Sequence, residues 1–123
     1  MDNLNTTITT YLEMLNETDA ARRTMLAEQV WADDAHWTDP PFEASGRAEI
    51  VDAIGGVQEQ FPGHTFRQVS GVDVHHDVFR FAWELVAPDG NVLVAGLDAG
   101  RLAEDGRILR INGFLGELPA LAA

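Results

Sequence analysis

The 123-residue sequence contains no cysteine and no lysine. Without thiols neither a disulfide nor a thiolate metal site can form. No apolar run approaches the roughly 18 residues that a membrane-spanning helix needs, so no membrane span is expected. The opening residues, MDNLNTTITT, are polar and lack the basic start of a secretory signal. A cytoplasmic protein is the expectation. Basic residues are also scarce, 8 against 20 acidic ones, for a formal net charge of −12. Such a surface repels phosphate backbones and anionic lipid, which argues against nucleic-acid and membrane partners. Repeats, linkers and low-complexity stretches are absent too.

What remains is an ordinary globular composition, 46% hydrophobic and 23% charged, sized for one domain with a single core. Ile8, Tyr11, Leu12 and Leu15 repeat at helical spacing and predict a helix over residues 3–16. Tyr11 lies on its buried stripe, where its hydroxyl needs a partner. Thr18 or Asp19 can cap a second helix over residues 20–31, with Ala21, Met25, Leu26 and Val30 inward and Arg22 and Arg23 in solvent. Residues 42–45 read as a loop, and Ser45 or Gly46 as the cap of a third helix carrying Ile50, Ile54, Val57 and Phe61. Gly55 and Gly56 weaken that helix and suggest close packing against a sheet. From residue 65 the period changes to two. Phe79, Phe81, Trp83 and Leu85 alternate with Arg80 and Glu84, the pattern of a half-buried antiparallel strand. Strands over 92–102 and 108–115 follow, separated by Pro88-Asp89-Gly90 and Glu104-Asp105-Gly106-Arg107 turns. Three helices on one face of a curved antiparallel sheet make an α+β architecture.

Two carboxylates stand out. Asp39 ends a short edge strand, His36 to Asp39, stopped by Pro40 and Pro41, which hold it extended. It shares a face with Trp37. A carboxylate beside an indole suits a base with a raised pKa, although Asp-Pro is also a common turn opening. Asp98 sits mid-strand, where aspartate is depleted. Gly96 and Gly100 flank it on its own face, leaving space for a ligand or marking bulges on a solvated face. His75, His76 and Asp77 cluster at a turn, but adjacent histidines on a strand point to opposite faces and lack a distant third ligand, so no metal site is expected. His36 has the opposite parity to Asp39 and should face away from it. His64 falls in a turn.

The stretches WADDAHWTDPPFEASGRAEIVDAI, the PDG hairpin and GLDAGRLAEDGRILRINGF, in that order, resemble the SnoaL-like branch of the nuclear-transport-factor-2-like superfamily. The resemblance covers nearly the whole chain and implies a cone of curved sheet wrapped by three helices. Within the superfamily the pattern is similar to ketosteroid isomerase, which implies Asp39 as general base and Asp98 as a protonated oxyanion donor, with Tyr11 from the first helix beside it. Placing Tyr11 requires an extra turn in the second helix. The arginine of the epoxide-hydrolase pattern is missing, with Gly96 in its place, and the scytalone-dehydratase histidines have no secure counterparts. The resemblance thus implies a cofactor-independent acid/base enzyme acting on a small hydrophobic carbonyl compound, an isomerase or polyketide cyclase. Trp37, Phe79, Phe81, Trp83 and Leu115 are the expected pocket walls. The same fold also serves noncatalytic binding or dimerisation modules, and hydrolases or dehydratases that activate water. A homodimer is expected, since the convex sheet face needs cover and carries Arg80 and Glu84.

Overall fold

The computed structural model describes residues 2–122. Helix α1 (Asp2–Asn16) buries Leu4, Ile8, Tyr11, Met14 and Leu15 along one face. At its end the Asn16 amide donates to the Phe66 carbonyl at 2.9 Å and its carbonyl accepts from the Phe66 N–H at 2.7 Å. The side chain imitates a neighbouring strand and pins the helix to β3 (Thr65–Gln68).

Helix α2 (Ala20–Val30) is capped by Asp19, whose carboxylate accepts from the Arg22 N–H at 3.0 Å. Its inward face differs from the expected one. Met25 is 61% exposed, whereas Arg23 is only 7% exposed. The Arg23 Nη1 donates to the Glu17 carbonyl at 2.7 Å and to Gln58 Oε1 at 3.0 Å. The polar turn before the helix and Gln58 on α3 (Arg47–Gln60) supply acceptors for a guanidinium, and these outweigh the local apolar pattern. Gly55 accommodates it, since a Cβ there would lie 3.1 Å from Arg23 Nη2. The paired glycines of α3 therefore do not both serve packing on the sheet. Gly55 faces Arg23 and Gly56 faces open space.

The remaining strands are β1 (Trp31–Asp39), β2 (Phe42–Ser45), β4 (Asp73–His75), β5 (Val78–Val86), β6 (Val92–Leu102) and β7 (Ile108–Leu115). They form one open seven-stranded sheet in the order β2-β1-β7-β6-β5-β3, with β4 also paired to β5. Gly90 and Gly106, at φ +90° and +89°, make the two tight turns of the β5-β6-β7 meander. The sheet is curved and mixed. Strand β1 begins at Trp31 and is not an edge strand. The loop expected over 42–45 is β2, which covers one side of β1, while β7 runs parallel along the other with Trp37 opposite Ile111. The β-rich stretch after residue 65 divides into β3 and β4, which pair with opposite ends of β5.

Cross-strand partners share a face, so the register assigns both sides. The helices pack on the inner side, which presents Trp37, Phe79, Phe81, Trp83, Leu85, Asp98 and Ile111, all buried. The outer side presents Arg80, Ala82 and Glu84, with Leu97 opposite both Ala82 and Phe114. No helix among the described residues is long and apolar enough to cross a membrane.

The two helical departures give a stability test. Arg23→Ala removes a buried guanidinium and its two hydrogen bonds and is expected to cost roughly 2 kcal/mol. Gly56→Ala, in an open helical position, should instead stabilise by about 0.5–1 kcal/mol. Chemical denaturation of both variants checks this, and an Arg23→Ala protein as stable as wild type contradicts the interior role of the guanidinium.

Candidate active site

Asp39 is the last residue of β1. Pro40 and Pro41 form the turn that returns the chain as β2, with Asp39 opposite Phe42. Proline stops the ladder, so the side chain is held at the rim of the inner face beside Trp37. Asp98 lies deeper, 2% exposed. Its β5 neighbour is Phe81 and its β7 neighbour is Gly113. Tyr11 crosses from α1, and its hydroxyl donates to Asp98 Oδ2 at 2.8 Å. The phenol ring is fixed edge-on against Trp31, Trp37 and Phe81 at centroid distances of 5.9, 6.2 and 6.2 Å.

All three residues line one cavity of about 460 Å³. Trp37, Trp83 and Leu115 line it, as does Val94. Phe79 and Phe81, expected as pocket walls, are not among its lining residues. Phe81 is sealed into the core beside Asp98. The Arg110 carbonyl and the Phe79 ring together occupy the place where Gly100 lacks a side chain, and the Trp83 ring fills that over Gly96. The glycines flanking Asp98 thus admit aromatic rings of β5 and leave no free volume of their own.

Several wall residues escaped the sequence reading. Pro40, Pro41 and Phe42 from the β1–β2 turn, Val57, Gln60 and Phe61 from the end of α3, and Phe66 of β3 complete the cavity. Aromatic residues clustered at element ends were the available signal. Gly113 was also missed. A Cβ there would overlap the Asp39 carboxyl, so glycine is what lets that carboxyl lie down on β7. A mid-strand glycine marks such a close approach.

Burial governs the electrostatics. Desolvation raises Asp39 to about 6, and the Trp37 indole offsets this in part. The indole N–H is buried and makes no well-formed hydrogen bond. Asp98 is raised to about 7, chiefly by desolvation and further by the charge of Asp39, with Tyr11 and Trp83 acting in the opposite direction. Burial, and then the Asp98 charge, push the Tyr11 phenol well above its usual range. Asp39 Oδ1 and Asp98 Oδ1 are both buried without a hydrogen-bond partner. The lining contains no arginine and no histidine. The site can therefore hold one ionised and one neutral carboxyl. Asp98 is the more deeply buried of the two, so burial disfavours its charge more than that of Asp39.

The histidines lie elsewhere. His36 faces the other side of the sheet, as its parity requires, with Nδ1 2.7 Å from Ser45 Oγ and Nε2 2.8 Å from Glu43 Oε2. His64 contacts the Pro62 carbonyl at 3.1 Å. His75 and His76 bring their Nδ1 atoms to 3.0 Å of each other. Among the described residues no group of three or more His, Asp or Glu is placed to hold a metal.

Comparison with known proteins gives a coherent picture. The SnoaL-like domain family matches residues 8–111. No curated protein matches significantly. Among solved structures, a provisionally assigned isomerase of the SnoaL-like family from Agrobacterium tumefaciens is 35% identical, with a TM-score of 0.89 over 95% of this chain and 100% of that one. A provisionally assigned SnoaL-like polyketide cyclase from Jannaschia sp. superposes with a TM-score of 0.66 at 16% identity, over 89% of this chain and 84% of that one. A protein of unknown function with a cystatin-like fold from Methylobium petroleophilum gives 0.73 at 18% identity, over 97% and 79%. The last two likenesses concern the fold alone.

The raised value of Asp98 has a consequence for stability. A carboxyl whose pKa is higher in the folded than in the unfolded chain stabilises fully below the unfolded value and loses that contribution as pH rises through the folded one, here about 7. Asp98→Asn removes the titration. Measured against wild type by denaturation, the variant should gain about 2–3 kcal/mol of relative stability between pH 5 and pH 8.5. A difference that stays constant across this range contradicts the desolvated placement of Asp98.

Proposed function

Because the chain belongs to the SnoaL-like domain family, we propose that it is a cofactor-independent acid/base enzyme acting on a small, hydrophobic, uncharged carbonyl compound. The observation that carries this is the presence of two carboxyls, each with an unpartnered buried oxygen, in one cavity walled by apolar and aromatic residues. Asp39 is the general base. Both of its oxygens lie over Gly113, Oδ1 the more closely and fully buried, so Oδ2 is the one that takes the proton α to the carbonyl. The C–H electron pair becomes the C=C bond of an enolate, and the carbonyl π pair moves onto oxygen. Asp98, neutral, donates a hydrogen bond from Oδ1 to that oxygen. Where the substrate carries a β,γ double bond the enolate is conjugated, and Asp39 then delivers the proton to the γ-carbon, so the double bond shifts and an isomerisation balances without any co-reactant. Capture of the enolate by a second carbonyl of the same molecule would give a cyclisation.

In this reading Tyr11 is a positioning residue. Its proton is committed to Asp98 Oδ2, which leaves the carboxylic proton on Oδ1, facing the ligand. The solved SnoaL-like relative described provisionally as an isomerase supports the reaction class.

The test is hydrogen–deuterium exchange at the α-carbon of 2-tetralone, followed by NMR in D₂O. Wild type should accelerate exchange with a bell-shaped pH profile. The rising limb reports Asp39 near 6 and the falling limb Asp98 near 7. Asp39→Asn should lose roughly 10²–10⁴-fold, and Asp98→Asn about 10²–10³-fold. An Asp39→Asn protein of full activity would sink the base assignment. A wild-type protein that binds 2-tetralone without accelerating exchange would make the fold a binding module.

We also propose that two copies pair through the outer sheet face. Leu93, Leu97 and Phe114 are exposed there, at 49%, 37% and 60%, and the Arg67–Glu84 and Arg80–Asp73 ion pairs lie at the rim. An apolar centre with a charged rim suits an isologous contact. Sedimentation analysis should give a dimer for wild type and a monomer for Phe114→Asp. Both remaining monomeric at high micromolar concentration would refute the pairing.

A further inference from the structure

The cavity holds a hydrogen-bond donor that the mechanism above leaves unused. Trp83 lines it, and its indole N–H is buried close enough to the Asp98 carboxyl to favour the anion, yet makes no well-formed hydrogen bond. The ring's place is set by three neighbours. Trp83 stands opposite Gly96, and Phe81 opposite Asp98, so Trp83 and Asp98 are diagonal neighbours on the inner face of β5 and β6. Gly96 lacks the side chain that would occupy the ring's position. A Cβ there would overlap Cε2, the carbon that carries the N–H, together with Cζ2 and Cη2. The Phe66 ring packs edge-on at 5.4 Å and closes the other side. The indole therefore lies over Gly96 in an aromatic slot with little freedom to turn, and its N–H is near enough to act on the Asp98 carboxyl.

A buried N–H without a partner is unfavourable unless a ligand or water satisfies it. Tyr11 cannot take the second donor position while its proton is held by Asp98. We propose that the Trp83 indole N–H is the second oxyanion donor, so that the substrate's carbonyl oxygen is held between Asp98 and Trp83. The inference rests on the proposed function, since it assigns a partner within the same site. It departs from the arrangement the sequence resemblance implies, in which the first-helix tyrosine takes that position. It also defines the substrate more closely. The reacting oxygen must lie against the β5–β6 face, with the apolar body of the molecule among the aromatic lining, Phe42 and Phe61 included.

The test uses 2-naphthol, a flat phenol that mimics an enolate oxygen on an apolar frame, and 2-methylnaphthalene, which lacks the oxygen. In ¹H–¹⁵N spectra of the wild-type protein, the three indole N–H signals are assigned from single Trp→Phe variants. Saturating 2-naphthol should move the Trp83 signal downfield, and 2-methylnaphthalene should not. Trp83→Phe should weaken 2-naphthol about tenfold more than it weakens 2-methylnaphthalene, so that lost packing cancels in the comparison. The wild-type spectra stand even if Trp83→Phe folds poorly. Binding of 2-naphthol with an unmoved Trp83 signal overturns the inference and leaves the proposed site intact. The same holds if Tyr11→Phe, not Trp83→Phe, loses the preference for the oxygen. Failure of 2-naphthol to bind the wild-type protein at all overturns the site together with the donor.

Discussion

The hydrogen bond from Tyr11 to Asp98 joins the first helix to the middle of the sheet, and much of the inner face depends on it. An aspartate in the centre of an apolar sheet face is a costly choice. It is tolerable if the group stays neutral or is held by a donor, and both conditions operate here. Desolvation favours the neutral acid, while the phenol favours the anion. The balance places the group near neutrality. Tyr11 in turn is fixed by three aromatic rings, two of them from β1. The position of α1 on the sheet, the packing of Trp31 against Trp37 and the protonation of Asp98 are therefore one linked problem. Moving the helix by even one turn would leave a buried carboxyl and a buried hydroxyl without partners.

Missing side chains shape the inner face as much as present ones. Gly96 receives Trp83, Gly100 receives Phe79 and Gly113 receives the Asp39 carboxyl. In a central strand each glycine sacrifices packing and β-propensity. Three of them on adjacent strands β6 and β7 let large groups lie flat, close to the backbone. The cavity is what remains above them, toward α3 and the β1–β2 turn.

Much of this was legible in the sequence. The apolar stripe of α1 and the strict alternation of β5 reflect local periodicity, and both formed as read. Asp39 before two prolines was fixed by the restriction that proline imposes. The same alternation put His36 on the opposite side. What stayed hidden was nonlocal. Nothing in residues 31–39 says that they lie parallel to residues 108–115, because periodicity defines a face and not a partner. Arg23 looked solvated because its acceptors, Glu17 and Gln58, come from a turn and another helix. The glycines beside Asp98 suggested open space, but whether a ring from the next strand fills that space depends on register.

The charge of the cavity limits what can enter it. The lining has two carboxyls and no cationic side chain, in a chain whose net charge is already −12. A phosphate or carboxylate bound there would meet like charge in a poorly solvated space, where repulsion is weakly screened. It would drive both aspartates toward protonation, and a protonated Asp39 could no longer act as a base. An uncharged ligand has the opposite effect. By displacing water it raises Asp98 further and keeps it a donor, while Asp39, nearer the rim and less buried, can remain ionised. Depth of burial thus separates the two carboxyls into a base and an acid without any positive charge, and that separation holds only for neutral occupants.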